Sequence, residues 1–192
     1  MVAERLRETR ETRVRVKLSL NFEEFPIKIN TGIGFFNHML ELFAYHSGTS
    51  LEVEAKGDLE VDFHHTVEDV GIVLGEATNE ALGKRVGIAR YGEATIPMEE
   101  SLSQAVIDLA TRPYLYFEAK FPTQKVGDFD LELVEEFFRA LVFNARFTLH
   151  LRNLYGKNSH HIAESLFKAF AYAFKRALAP VEERIVSTKG TL

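Results

Sequence analysis

The sequence predicts an α+β fold made of two tandem repeats of one unit, each a β-sheet packed against two helices. Two observations carry this. The pattern His-His-x-x-Glu occurs twice, at His64-His65-Thr66-Val67-Glu68 and at His160-His161-Ile162-Ala163-Glu164, half of the 192-residue chain apart. An amphipathic run follows each copy at once, and strands, a helix and a further strand precede it in each half. Residues 1–85 therefore form the first predicted unit and residues 86–192 the second, with Lys84–Gly92, a basic link containing glycine, at the boundary.

The elements follow in order. Residues 1–10 are polar, mixed in charge, and read as a frayed arm. From Glu11 to Asn21, Val14, Val16, Leu18 and Leu20 alternate with Arg13, Arg15, Lys17 and Ser19, the period-two pattern of a half-buried strand. Asn21–Pro26 turns, and Ile27–Ile29 is a short returning strand. A helix opens after Thr31-Gly32, with Phe35, Met39, Leu42 and Phe43 on one face. It stops at Ser47-Gly48, where glycine suits a C-terminal cap. His38 and His46 lie on this helix two turns apart and share a face. Leu51–Ala55 alternates as a strand, Lys56–Asp58 turns and Leu59–Val61 is extended. The first motif then begins a helix that runs through Val70, Leu74, Ala77 and Ala81 to Gly83.

In the second half, Glu93–Met98 reads as a strand, with Pro97 marking an edge or bulge. Ser103–Leu109 and Tyr114–Phe121 are two more, and Pro122–Gly127 is a loop. Asp130–Ala145 is a helix by the spacing of Leu133, Phe137 and Leu141. Thr148–Arg152 is a short strand. Ser159 is the expected N-cap of the second motif helix, which continues through Leu166, Phe167, Phe170, Phe174 and Leu178 until Pro180 stops it. Aromatic residues at this spacing are core.

Composition narrows the function. A hydrophobic content of 46% with 16 Phe supplies a sizeable core, and the net charge of −5 argues against a nucleic-acid partner. The absence of Cys removes disulfides and thiolate ligands. No apolar run approaches the roughly 18 residues of a membrane span. The N-terminus carries both signs of charge and lacks the apolar stretch of a secretory signal. A cytoplasmic protein is the expectation.

Two imidazoles and a carboxylate within one helical turn make half of a transition-metal site, because residues three and four apart lie on one face. A lone copy would more often be an ordinary surface cluster; a second copy at half-chain spacing favours ligation. Without thiolates the shell is N/O, which suits Mn, Fe, Co, Ni or Zn. If His38 and His150 each join a half-site, the pool becomes six His and two Glu, enough for two ions with positions open to substrate. Adjacent residues on a helix point about 100° apart, so His64 and His65 would serve different ions, as would His160 and His161. Helical spacing leaves the pairing of each His with each ion open.

Further stretches add to the two motifs: Thr31–Leu40 around His38, Asp62–Asp69, Arg112-Pro113-Tyr114-Leu115, Thr148–Arg152 around His150, Gly156–Glu164 and Ser187-Thr188-Lys189-Gly190. In content and order these resemble the imidazoleglycerol-phosphate dehydratase family of the histidine pathway. The chain departs from the family pattern at Asn37, where Asp is usual, which bears on the outer partner of His38, and at Asn144–Phe147. The resemblance implies two repeats of a unit like domain 2 of ribosomal protein S5. It implies two Mn(II) per active site held by His38, His64, His65, Glu68, His150, His160, His161 and Glu164. It also implies sites at subunit interfaces in a 24-subunit shell built from trimers.

The implied reaction removes water from imidazole glycerol phosphate to give imidazole acetol phosphate. The C–H to be broken is not beside a carbonyl, so metals on the ring nitrogens would favour an imidazolate whose electrons expel the hydroxyl through a diazafulvene-like intermediate. By resemblance Glu11 is the proton shuttle; Glu11→Gln is expected to keep metals and assembly but lose turnover. Substrate contacts carry over to Glu11, His38 and His46, and phosphate contacts to Arg90, Arg112, Lys168, Ser187 and Lys189. Lys168 lies one turn beyond Glu164 on the same face. From the residues alone the tail reads as a disordered end; the matching Ser-x-Lys-Gly reverses that, and its deletion is expected to raise KM sharply. The rival readings are a dinuclear hydrolase, which would release phosphate, and a non-enzymatic RNA-binding or shell protein, which would need neither Glu11 nor open metal positions.

Overall fold

The computed structural model describes residues 2–21, 23–182 and 186–187. The first unit runs β1 (Val2–Glu8), β2 (Thr12–Ser19), β3 (Lys28–Asn30), α1 (Gly34–Ser47), β4 (Ser50–Gly57) and α2 (His64–Leu82). The second runs β5 (Tyr91–Met98), β6 (Ser101–Asp108), β7 (Tyr114–Glu118), a small hairpin of β8 (Lys125–Val126) and β9 (Phe129–Asp130), α3 (Glu132–Ala145), β10 (Thr148–Tyr155) and α4 (Ser159–Ala177). Strand order is β1-β2-β4-β3 in one sheet and β5-β6-β10-β7 in the other. Strand by strand these are the same topology, each with one parallel pair, β3 with β4 and β7 with β10. The α+β class and its two tandem units are thus seen directly.

The period-two pattern of β2 does what it predicts: Val14, Val16 and Leu18 are fully buried. The helices α1 and α2 lie on the first sheet, α3 and α4 on the second. The units meet helix to helix, α1 against α4 and α2 against α3. The α1–α4 seam is filled by aromatic rings, with Phe43 stacked on Phe170 at 5.1 Å between centroids. The α2–α3 seam is close instead. A Cβ at Gly71 would come within 2.8 Å of the Ala140 Cβ, and one at Gly75 within 2.7 Å of the Leu141 carbonyl. Gly48 ends α1 in the left-handed conformation with φ 71°, as its position predicts.

Four readings need correction. Pro122–Gly127 is not all loop: Lys125–Val126 pairs antiparallel with Phe129–Asp130, so the following helix opens only at Glu132. Residues 2–8 are no arm but a full strand, paired antiparallel with β2 from Val2↔Ser19 to Glu8↔Arg13. Only Ala3 of this edge strand is buried, so no hydrophobic alternation announces it. Charge pairs fix it instead: Glu4 with Arg15 at 2.8 Å, Arg5 with Glu80 at 2.6 Å and Arg7 with Asp69 at 2.9 Å. Leu59–Val61 is a turn rather than an extended segment. The N-cap of α4 is Asn158, and Ser159 is its first residue, bonded through Oγ to Thr123.

The link between units is held by Arg85, in the left-handed region at φ 54°. Its buried guanidinium donates to the carbonyls of Leu109, Ala110, Ala145 and Arg146 and to Asn79 Oδ1, at 2.5–2.8 Å. Burial and the nearby Arg146 push its pKa down to about 10.

Candidate metal centre

Both histidine pairs stand at helix starts because a short polar side chain two residues upstream satisfies free helix N–H groups. Asp62 Oδ1 accepts from the His64 N–H at 2.7 Å. Asn158 Oδ1 accepts from the N–H groups of His160 and His161 at 2.9 and 3.3 Å. Within each pair the rings diverge, at 84° and 81° between planes.

The second motif meets the first unit. His160 Nε2 lies 3.2 Å and His38 Nε2 3.7 Å from Glu164 Oε2. The three present ligand atoms all within 4.8 Å of one another. Thus α1 of one unit and α4 of the other build one cluster, and His38 supplies the third donor. Lys168 Nζ donates to Glu164 Oε1 at 2.6 Å. Burial alone would push the Glu164 carboxyl up. The hydrogen bond and charge of Lys168, with His38 and His160, outweigh it and hold the pKa below the ordinary carboxylate value. The carboxylate is nearly buried, whereas the imidazoles of His38 and His160 are 45% and 40% exposed. A carboxylate therefore sits at the floor with two imidazoles at the rim. That set fits a divalent transition ion in an N/O shell.

The second histidine of each pair turns the other way, to a carboxylate. His65 Nδ1 lies 2.9 Å from Asp58 Oδ2, with Glu11 Oε2 at 3.8 Å. His161 Nδ1 lies 2.7 Å from Glu100 Oε2. The backbone N–H groups of Lys157 and Asn158 donate to Glu100 Oε1 at 3.1 and 2.8 Å. The hydrogen bond from His161 and these N–H groups bring the Glu100 pKa down to about 2, while Asp58 and Glu100 push those of His65 and His161 up. Glu99 joins Glu100 and His161 in a second cluster of potential ligands.

Other candidate residues stand apart. Among the described residues His64, Glu68 and His150 join no cluster of three potential ligands. Glu68 lines a groove on the α2–α3 seam with Glu136, Arg139 and Phe143. His150 is exposed on the outer face of β10, its ring 5.7 and 5.6 Å from those of Tyr114 and Tyr116. Arg112 is exposed on the loop before β7. His46 sits at the end of α1 beside Tyr172, and burial, then Lys168 and Lys175, lower its pKa. Arg90 is committed. It grips both oxygens of Asp108 at 2.7 and 3.0 Å and donates to the Val186 carbonyl at 2.6 Å, which holds the chain next to Ser187. Lys189 lies outside the described residues. Asn37 accepts from the N–H and hydroxyl of Thr31 at 2.9 and 2.6 Å, so the departure at that position serves the turn into α1.

Sequence reasoning missed Asp58, Glu100 and Asp108. They come from turns and a strand end with no shared spacing to the histidines, so only the tertiary fold brings them in. The caps Asp62 and Asn158 did leave a signal, a short polar residue two places before each pair.

The family model described as imidazoleglycerol-phosphate dehydratase matches residues 31–174. That span takes in His38, both motifs and the strands between them. The chain belongs to the imidazoleglycerol-phosphate dehydratase family. The dehydratase of Streptococcus mutans is 55% identical over 188 residues, covering 97% of this chain and 96% of its own. That of Clostridium kluyveri is 52% identical over 194 residues, covering 100% and 99%. Among solved structures, the Staphylococcus aureus dehydratase superposes with a TM-score of 0.86 at 45% identity, covering 94% of this chain and 100% of that one. The Pyrococcus furiosus enzyme, solved in complex with (S)-C348, gives 0.85 at 34%, covering 98% and 100%. The protein is therefore an enzyme, a dehydratase of the lyase class acting in histidine biosynthesis. Among the described residues, no helix is long and apolar enough to cross a membrane.

Proposed function

We propose that this dehydratase converts imidazole glycerol phosphate to imidazole acetol phosphate and water, with two divalent ions, Mn(II) first among them, per active site. The observation that carries the reading is the cluster of His38, His160 and Glu164, open on its imidazole side. His38, His64, His65, Glu68, His150, His160, His161 and Glu164 would hold the ions. Bound there, they would supply Lewis acidity at the azole ring of the substrate.

The chain's own residues would do the rest. Glu11, exposed in the β1–β2 turn beside His65, would take the proton from the side-chain carbon and return one to the departing hydroxyl. Water leaves, and the resulting enol becomes the ketone. Arg112, Lys168, Ser187 and Lys189 would supply charge and donors to the phosphate, with Arg90 seating the tail that carries Ser187. Since His64, Glu68 and His150 lie outside the chain's own cluster, their use calls for a neighbouring copy. This supports sites at subunit interfaces; the 24-subunit shell of trimers is what the family resemblance adds. A cytoplasmic location suits such an enzyme.

The test is turnover of imidazole glycerol phosphate by chelator-stripped protein. Ketone formation should appear on adding Mn(II) and be absent before it. Full activity in the stripped protein, or phosphate release without a ketone, would overturn the reading.

A further inference from the structure

The two units orient their second histidine by different means. In the second unit the carboxylate comes from the β5–β6 hairpin, Glu100, and reaches His161 Nδ1 at 2.7 Å. The matching hairpin in the first unit, β1–β2, also carries an acid, Glu11, and it also faces the second histidine. Yet Glu11 stops 3.8 Å from His65 Nδ1, because Asp58, from the turn after β4, already occupies that nitrogen at 2.9 Å. Asp58 is also the better-buried acid, with its side chain 19% exposed against 56% for Glu11.

A carboxylate can only accept, so in both units Nδ1 carries the proton and donates it. The lone pair is then on Nε2, the atom left free to bind a cation. An imidazole held this way keeps both its tautomer and its ring direction. Glu100 is fixed in turn by the two N–H groups from Lys157 and Asn158, just ahead of α4. Glu100 is therefore fully engaged, whereas Glu11 is displaced to 3.8 Å from His65 Nδ1 and stays 56% exposed.

We propose that Asp58 and Glu100 are the positioning residues that commit His65 and His161 to metal ligation through Nε2, and that Asp58, by taking this role, releases the hairpin acid Glu11 for proton transfer. The inference rests on the metal reading above and deepens it. It accounts for the asymmetry between Glu11 and Glu100, which stand at matching places in the two hairpins, each just ahead of its second strand.

The test is Mn(II) titration of the chelator-stripped, full-length protein by calorimetry, with the melting temperature of the stripped protein as the folding control. Asp58→Ala and Glu100→Ala should each weaken Mn(II) binding by about 10–100-fold with the number of ions per chain retained. Glu100→Gln, which keeps an acceptor oxygen, should recover most of the loss. Glu11→Gln should leave Mn(II) affinity within about twofold of the wild type, since Glu11 holds no nitrogen. Affinities unchanged in both alanine variants would overturn the proposal, as would loss of a whole ion in Glu100→Ala, which would make Glu100 a ligand. If an alanine variant fails to fold, Asp58→Leu and Glu100→Met, which also remove the acceptor but fill the space, decide: a measurable weakening supports the proposal and none overturns it. A wild-type protein that takes up no Mn(II) would instead sink the metal reading and this inference with it.

Discussion

The two seams between the units carry the same helices in exchanged order, and they do different work. On the α1–α4 seam the fifth residue of α1 is His38, and it meets His160 and Glu164. On the α2–α3 seam the fifth residue of α3 is Glu136, and it shares a groove with Glu68 and Arg139. Duplication gave each seam an acid from a His-His-x-x-Glu helix, but only one received a third donor from the facing helix. The other carries two acids and an arginine, with Gly71 and Gly75 letting the helices close. Within one chain, among the described residues, the α1–α4 seam gathers a set of three potential ligands and the α2–α3 seam does not.

That contrast is open to direct attack. The largest effect should come from Glu164→Gln, which removes the charged acceptor of the cluster and the countercharge of Lys168. Dehydratase kcat/KM should fall by more than about a hundredfold, as for loss of a group on which catalytic geometry depends. Glu136→Ala, at the matching place on the other seam, should change it by less than about twofold. Equal losses would erase the distinction.

Next comes Arg85→Met. It strips donors from carbonyls at the end of α3 and on the strand-end turn after β6, and should cost about 3 kcal/mol of stability. Thermal or denaturant unfolding checks this, and metal affinity of the folded fraction should stay the same.

A smaller effect is expected from Asp108→Asn. Arg90 would lose its paired carboxylate and hold the Val186 carbonyl less firmly. KM for substrate should rise about tenfold with kcat nearly constant, as for loss of binding shared by ground and transition states. Steady-state kinetics separates the two constants.

The smallest is a pH effect at His46. Its pKa is lowered in the folded protein, first by burial and then by Lys168 and Lys175. The unfolded chain therefore takes up a proton before the folded one does as pH falls below the ordinary imidazole value, so His46 subtracts stability on the acid side. Lys175→Met should lessen this. The drop in melting temperature between pH 7.5 and 5.5 should be smaller in the variant than in the wild type.

How much could be read from the residues divides along the same physical line. Repetition was legible: the two motifs, the matching order of elements and the buried face of β2 are periodic signals, and they survive folding intact. The lack of Cys likewise restricts any ligand set to N and O donors. Strand β1 was not legible, because ion pairs to Arg15, Glu80 and Asp69 define it rather than apolar alternation. Nor was the partnership of His38 with Glu164, since helical spacing says nothing about which helix faces which. Asp58 and Glu100 were hidden for the same reason, each arriving from a turn remote from its histidine.

The most direct measurement is diffraction from Mn(II)-soaked crystals, with anomalous data collected at the manganese edge. The account predicts a peak within about 2.0–2.3 Å of the Nε2 atoms of His38 or His160 and of the Glu164 carboxylate, and none in the Glu136–Arg139 groove unless a neighbouring copy completes it. Manganese density absent from every His-His-x-x-Glu helix start, in a crystal of active protein, would contradict it.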